Sequence, residues 1–354
     1  MKKILHYYPS NVQNGGPKVY IETIVNSDLK DKYEFDRAGF NKKENGGFKN
    51  VYRLLRDYIK ETKPDIVHIH GCQSEGFIGV LAARAGGCKN TVLTVHGFAF
   101  DDTHTTNAKK ILYRRFIEPI TLRRAAAVYC VCEYAEKRKI VRKNAKKRLL
   151  GHIYNPAPPF EIKEDRETVR SELGFAPDDV VAVIAARISI DKGFDVLAET
   201  IKLAKDDEKL KFLILGNGDY AKTLKLKLAD EIEKKKVILY GSTDRVYDFL
   251  AASDMYVFPS YHENCSIALI EAGRAGLATV SSPAGGNPEI VLDGETGFII
   301  PEWNPKAYYD ALKKLYDDPA LRKSMGDKAK ENAIETFSLC EILKEIDKVY
   351  ENFI

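Results

Sequence analysis

The stretch YHENCSIALIEAGRAG, residues 261–276, carries two carboxylates eight positions apart, Glu263 and Glu271. Glu263 stands in a polar, turn-like run, and Glu271 in an apolar run patterned as a helix beginning near Ile267. A carboxylate in such a helix needs hydrogen-bond partners, because a buried charge without them is costly. A ribose diol would supply two hydroxyl donors. Ahead of the helix, Asn264, Cys265 and Ser266 offer backbone N–H groups. The open amides and the dipole at a helix start favour phosphate or sugar oxygens. Cys265 has no histidine placed as a base other than the neighbouring His262, so its backbone amide is the expected asset.

Three other segments carry chemistry. In VIAARISIDKGFDVL, Arg187 ends a strand-like run and Lys192 precedes a glycine and a helix. A planar fork and a mobile point charge at that spacing suit a diphosphate, although taken alone the same loop also reads as solvated. In NVQNGGPKVYIETIV, Gly15 and Gly16 let backbone approach a ligand closely, and serve a tight strand-to-helix turn equally well. Neither this pair nor LGNGDY, which holds Gly216, completes the GxGxxG dinucleotide pattern. In SSPAGGNPEIVLDGETGFII, glycines, prolines and Glu289 mark a turn-rich loop after a strand. His68 and His70 alternate in DIVHIHG and share a face; with His96 in TVHG they are residue types of a metal site, but two adjacent strand ends account for the spacing. Asp101 and Asp102 follow HGFAF in a loop and are not read as metal ligands.

Positioning these residues requires a sheet. The runs KKILHYY, FDRAGF, DIVHIHG, TVLTVHG, AAVYCVC and LLGHIYN alternate with helical patterns such as FKNVYRLLRDYIKET. Nearly continuous apolar strands separated by amphipathic helices predict a parallel sheet covered on both faces. The alternation breaks at YNPAPPFEIKED, where prolines remove backbone donors. It restarts with VVAVIAARI, LKFLILGNG, KVILYGS, MYVFPS and ATVSSP, and a last amphipathic helix follows in CEILKEIDKVYENFI. The expectation is α/β: two Rossmann-like doubly wound domains, 1–155 and 156–336, facing across a cleft, with 337–354 as a final helix. In such sheets ligands bind beyond the carboxyl ends of the strands, where all four segments fall.

Composition bounds the rest. The chain has 354 residues, 44% hydrophobic and 30% charged, as in a soluble globular protein, with no apolar run long enough to cross a membrane. The six cysteines form no CxxC pair, and a disulfide framework is not expected. MKKILHYYPS reads as a first strand rather than a secretory signal, which predicts a cytoplasmic protein. The net charge is +4, but 109–148 holds fourteen Lys or Arg against three Glu. That segment reads either as solvated helix faces or as a peripheral contact with anionic lipid on the inner face of the plasma membrane. Nucleic acid is not expected, since no binding motif accompanies the charge.

In order, Gly-Gly after the first strand, Arg-x4-Lys-Gly, Glu-x7-Glu after an FPS strand, then GGNPEIV and DGETGF resemble the retaining nucleotide-sugar glycosyltransferases of the GT-B fold, family 4 (GT4). The resemblance spans nearly the whole chain. It implies that Arg187 and Lys192 bind the donor diphosphate, that Glu263 lies beside the donor sugar, and that Asn264, Cys265 and Ser266 hold sugar and phosphates. It further implies ribose binding by Glu271, phosphate contact by Gly16, donor binding by Gly15 and Gly216, and a place for His96 near the transferred sugar. The return of the 337–354 helix toward the first domain is implied only by this resemblance. The two glutamates would then grip opposite ends of one nucleotide sugar, unlike a glycosidase pair facing across one bond. The implied donor is a nucleotide-diphosphate sugar, UDP ahead of GDP, and the implied acceptor a glycan or lipid-linked acceptor in surface polysaccharide assembly. No metal or other cofactor is implied. This sequence has Gly276-Leu277-Ala278 where the family has Gly-Leu-Pro, and ENCS where Glu-Gly-Phe-Gly is commoner, which leaves the sugar open. A nucleotide-sugar epimerase or an inactive binding subunit are the rival readings, and the full set of acids and cations opposes both.

Overall fold

The computed structural model describes residues 1–9, 16–101, 105–157 and 159–353. The chain divides into two compact units, one of 1–156 with 339–354 and one of 157–338. In the first, β1 (Lys2–Tyr7), β2 (Tyr33–Ala38), β3 (Ile66–His70), β4 (Thr91–Val95), β5 (Ala127–Cys130) and β6 (Leu149–His152) form one sheet in the order β2-β1-β3-β4-β5-β6, with every pairing parallel. β3, β4 and β5 are buried along their whole length. That is why they read as apolar runs rather than alternating strands.

The second unit repeats the plan. Its strands are β7 (Val180–Ala185), β8 (Leu210–Leu215), β9 (Val237–Gly241), β10 (Met255–Phe258), β11 (Ala278–Ser281) and β12 (Gly297–Ile299). The order is β12-β11-β10-β7-β8-β9, again parallel throughout. β12 is a strand where the sequence reads as loop. It has three residues, and its Gly297 lies so close to β11 that a Cβ would come within 1.9 Å of the Thr279 carbonyl oxygen.

The last helix, Leu339–Glu351, belongs to the first unit. It buries Ile342, Ile346, Val349 and Tyr350 against Ile4, Tyr20, Tyr33, Ile66 and Val92. Lys32 fixes its outer face through Asp347 at 2.7 Å and Glu351 at 2.5 Å.

Candidate active site

In the second unit, the exits of β7 and β10 are pressed together. After β7 the chain makes a short turn, Ile190–Lys192, closed by Gly193 at φ 72° before the helix Phe194–Leu203. A Cβ on Gly193 would lie 2.0 Å from the Pro259 carbonyl oxygen, so only glycine permits this approach. Tyr261 N–H donates to the Asp191 carbonyl at 2.9 Å and ties the two loops. Lys192 is thereby delivered to Glu263: its Nζ donates to Oε1 at 2.5 Å, and Ser260 Oγ lies 3.0 Å from the same oxygen. The two side chains are 21% and 11% exposed, enough shielding to strengthen the pair and enough opening to admit a ligand. Arg187 is placed differently. Its side chain is 61% exposed and pairs with Asp191 at 3.1 Å, not with Glu263. Gly216, at the exit of β8, packs on the same β7 loop, where a Cβ would stand 1.9 Å from the Ala186 oxygen.

Behind this pair the 263–266 loop leads into the helix Ile267–Arg274. Asn264, Cys265 and Ser266 are all buried, and Ser266 makes no side-chain cap, so its hydroxyl leaves the first-turn amides open. The Asn264 side-chain oxygen is also buried without a partner. The Gly285–Gly286 turn closes over the loop: Gly286 N–H donates to the Asn264 carbonyl at 2.9 Å. Gly285 sits at φ 59°, with room for no Cβ beside the Glu263 carbonyl. Glu271 lies half-buried one turn into the helix. Burial pushes its carboxyl up to about 7, against the lowering effect of a hydrogen bond from Tyr247 Oη at 3.0 Å. Tyr247 is absent from the sequence-derived set. Its only signal is a tyrosine opening the helix Val246–Ala251 after β9, and nothing there marks it as Glu271's partner. Glu289 sits in the short turn Asn287–Ile290.

In the first unit, parallel pairing sets His6 beside His68, and His70 follows two residues on. His96 Nε2 is 3.2 Å from His70 Nδ1, and His70 Nε2 is 2.9 Å from His6 Nδ1. His68 meets Tyr350 Oη and Thr94 Oγ1, each at 2.7 Å. Ligand atoms of His6, His68 and His70 lie within 4.8 Å of one another, a different triplet from the His68, His70 and His96 that the sequence suggests. Each of the six ring nitrogens of that triplet has a side-chain neighbour: His6 and His70 meet each other, His68 meets Tyr350 and Thr94, His70 meets His96, and His6 Nε2 stands 3.5 Å from Tyr350 Oη. Burial lowers all four imidazoles, His6 and His96 to about 3, and keeps them neutral. His70 and His96 line a cavity of about 400 Å³ with Tyr8, Gln73 and Glu75, beyond the ends of β1, β3 and β4. Gly16 opens the helix Gly16–Val25 and is exposed; Gly15 lies outside the described residues, as does Asp102. Asp101 is occupied by Arg138, whose second nitrogen is 3.1 Å away.

Known proteins bear on this arrangement. The family described as "Glycosyl transferases group 1" matches residues 165–332, and "Glycosyl transferase 4-like domain" matches 43–149. The chain is 27% identical to the UDP-Gal:alpha-D-GlcNAc-diphosphoundecaprenol alpha-1,3-galactosyltransferase of Escherichia coli, over 86% of this chain and 78% of that protein. It is 24% identical to the capsular polysaccharide biosynthesis glycosyltransferase CapM of Staphylococcus aureus, over 94% and 90%. Its fold matches Anabaena HepE, solved in complex with UDP-glucose, with a TM-score of 0.83 at 18% identity, over 99% and 100% of the two chains. The two family matches together span most of the sequence, and the chain belongs to the GT4-type glycosyltransferases of the GT-B fold.

Proposed function

We propose that this glycosyltransferase takes its sugar from a UDP-sugar and passes it, with retention of anomeric configuration, to a glycan or lipid-linked acceptor of surface polysaccharide assembly. The observation that carries the donor assignment is the shielded Lys192–Glu263 pair at an open helix start, with Glu271 held by Tyr247 in the same helix. A diphosphate arriving at Lys192 gives that ammonium a second anion. As the bond to the diphosphate breaks, charge grows on it, and a preplaced cation stabilises the transition state more than the ground state. Arg187 is exposed and held only by a neighbouring aspartate, so it is free to swing to the phosphates. Glu271 takes the ribose hydroxyls.

The UDP and lipid-diphosphate parts of this reading are supported by the likeness to the galactosyltransferase, which uses UDP-Gal and a diphosphoundecaprenol acceptor, and to HepE, solved with UDP-glucose. The group moved is a hexosyl or N-acetylhexosaminyl sugar, and the UDP-Gal and UDP-glucose of those two proteins are in keeping with the hexosyl case. The cavity at His96 is the acceptor's proposed seat, and neutral His96 would meet an uncharged hydroxyl there. Two side-chain cations and the helix-start amides are the groups offered to the diphosphate, so no metal is assigned and turnover is expected to survive EDTA. The proposed place of action is the cytoplasm.

The test is a screen of nucleotide sugars by thermal shift, since a ligand at 100 times its Kd adds about 2.7 kcal/mol. Anomeric-proton NMR of the product from the best donor follows. An α-linked donor is expected to give an α-linked product; a β product removes the retaining assignment. Stabilisation by no uridine nucleotide removes the donor assignment.

A further inference from the structure

The helical stretch from Asn107 to Ile117 has an unusual exposure pattern. None of its residues is buried, either in the turns Asn107–Leu112 or in the wider turn Tyr113–Ile117. It nonetheless presents Ile111, Leu112 and Phe116 at 59%, 49% and 54% exposure. The helix is anchored only beyond this point, where Glu118, Pro119, Thr121 and Leu122 are buried and Glu118 accepts the Ala99 N–H at 2.7 Å. Phe100, 48% exposed, joins the apolar group: Lys110 Nζ and the Arg114 guanidinium stand 5.9 and 5.0 Å from its ring centre. Residues 107–117 include Lys109, Lys110, Arg114 and Arg115 and no acid. Arg114 also faces Arg138 and Lys139 across a pocket of about 160 Å³.

Large apolar side chains grouped in water mark an interaction site. The chemistry of the surrounding charge decides which kind. A second copy of this face would bring cations against cations, and a protein partner would need acids interleaved with an apolar groove. A bilayer rich in anionic lipid supplies both components at the right depths, headgroup phosphates for the cations and acyl chains for Ile111, Leu112 and Phe116. We propose that residues 107–117 lie in the interface of an anionic lipid bilayer, with these three side chains below the headgroups and Lys109, Lys110, Arg114 and Arg115 at their level. The surface is distinct from the donor groups of the other unit, so the inference does not depend on which sugar is transferred. It also moves the footprint. Among the cations from Lys137 to Arg148, Lys137 and Arg142 are paired to Glu133 and Glu136, and no comparable trio of exposed apolar side chains accompanies the rest.

The experiment is co-sedimentation of the full chain with phosphatidylglycerol–phosphatidylcholine vesicles and with phosphatidylcholine vesicles alone. Wild type is expected to bind the anionic vesicles and to release as salt shortens the Debye length. Replacing Ile111, Leu112 and Phe116 by serine keeps every charge and is expected to weaken binding at least tenfold, with donor turnover on a soluble acceptor unchanged. Phe116→Trp is expected to show fluorescence quenching by brominated acyl chains beyond that of the resident Trp303. Binding by the triple-serine variant equal to wild type, or absence of binding to anionic vesicles at low salt, overturns the proposal. So does light scattering showing that the same three substitutions convert a dimer to a monomer, which would assign the patch to self-association.

Discussion

At the scale of single residues, Glu271 offers the clearest test. Burial raises its carboxyl to about 7 in the free protein, from the ordinary value of 4.5. The folded state therefore holds a proton there that the unfolded state has lost, and this contribution to stability disappears as pH rises from 4.5 through 7. Ribose hydroxyls donating to the carboxylate favour the ionised form instead. Nucleotide binding should thus release a proton near pH 7 and tighten as pH rises, by up to about fivefold between pH 6 and 7 from this group. Calorimetric titration at pH 6, 7 and 8 reads the trend, and Glu271→Gln should flatten it. Loss of a charged acceptor should itself weaken nucleotide binding by about 1.5–3 kcal/mol. An affinity in Glu271→Gln equal to wild type at all three values rejects ribose contact. Lys192→Ala should act elsewhere. It should lower kcat at saturating donor and leave the fold intact, because the ammonium meets charge that grows during the reaction. Wild-type turnover in that variant would remove the diphosphate role. These residues were legible to different degrees. Lys192 and Glu263 are 71 positions apart, and only the ordered motif set of the family links them in sequence; the 2.5 Å contact supplies the link in space. Tyr247 was not legible at all, because a tyrosine at a helix start has the same pattern whether it holds a carboxylate or merely packs.

At the scale of elements, the central strands were readable because β3, β4, β5, β10 and β11 are short runs between helices, buried along their whole length. β12 escaped for the opposite reason: three residues beginning with glycine carry no period. Register is equally silent in sequence. Nothing in KKILHYY tells that His6 will align with His68, and the imidazole network follows from that pairing. Its consequence is measurable. His6, His68 and His70 are fully buried and held neutral, so below pH 6.5 the unfolded chain takes up protons that the folded one refuses. Stability is therefore present above pH 6.5 and lost as pH falls toward the lowered folded values. Each of the three costs up to about 1.4 kcal/mol per pH unit in that window. Unfolding midpoints from pH 8 to 5 should fall steeply, and His6→Gln should reduce the slope by about one proton. A midpoint flat across that range contradicts neutral burial. The glycine turns of the second unit make a separate prediction. Gly285→Ala places a Cβ against the Glu263 carbonyl at positive φ and should cost about 1–3 kcal/mol. Because that turn holds the 263–264 loop, donor affinity should fall together with the melting temperature.

At the scale of the whole molecule, the chain leaves its first unit at 156, builds the second, and returns at 339. The first unit is therefore incomplete without residues 339–354, although its sheet is encoded in residues 2–152. The helix Leu339–Glu351 could be read as amphipathic from its sequence, but its period does not say which apolar surface receives it; the return to the first unit is implied by the family pattern. Tyr350 is where the return is secured. It is fully buried, stacks edge-on to Tyr33 at 5.4 Å, and its hydroxyl holds His68 Nδ1 at 2.7 Å. Tyr350→Ala removes a large core side chain and should cost the first unit about 3–5 kcal/mol, by analogy with other buried aromatics. Tyr350→Phe keeps the ring and leaves a buried nitrogen unpaired, for about 1–3 kcal/mol. Lys192, Glu263, Glu271 and Tyr247, the groups proposed to take the donor, all lie in the other unit. Hydrogen exchange should accordingly show lost protection in β1, β3 and β4 of either variant, with β7, β8 and β10 protected as in wild type. Nucleotide should further slow exchange around 186–193 and 260–271 in wild type and variants alike. If Tyr350→Ala instead loosens both sheets equally, the two units unfold as one, and the return of the chain secures the whole molecule rather than its first half.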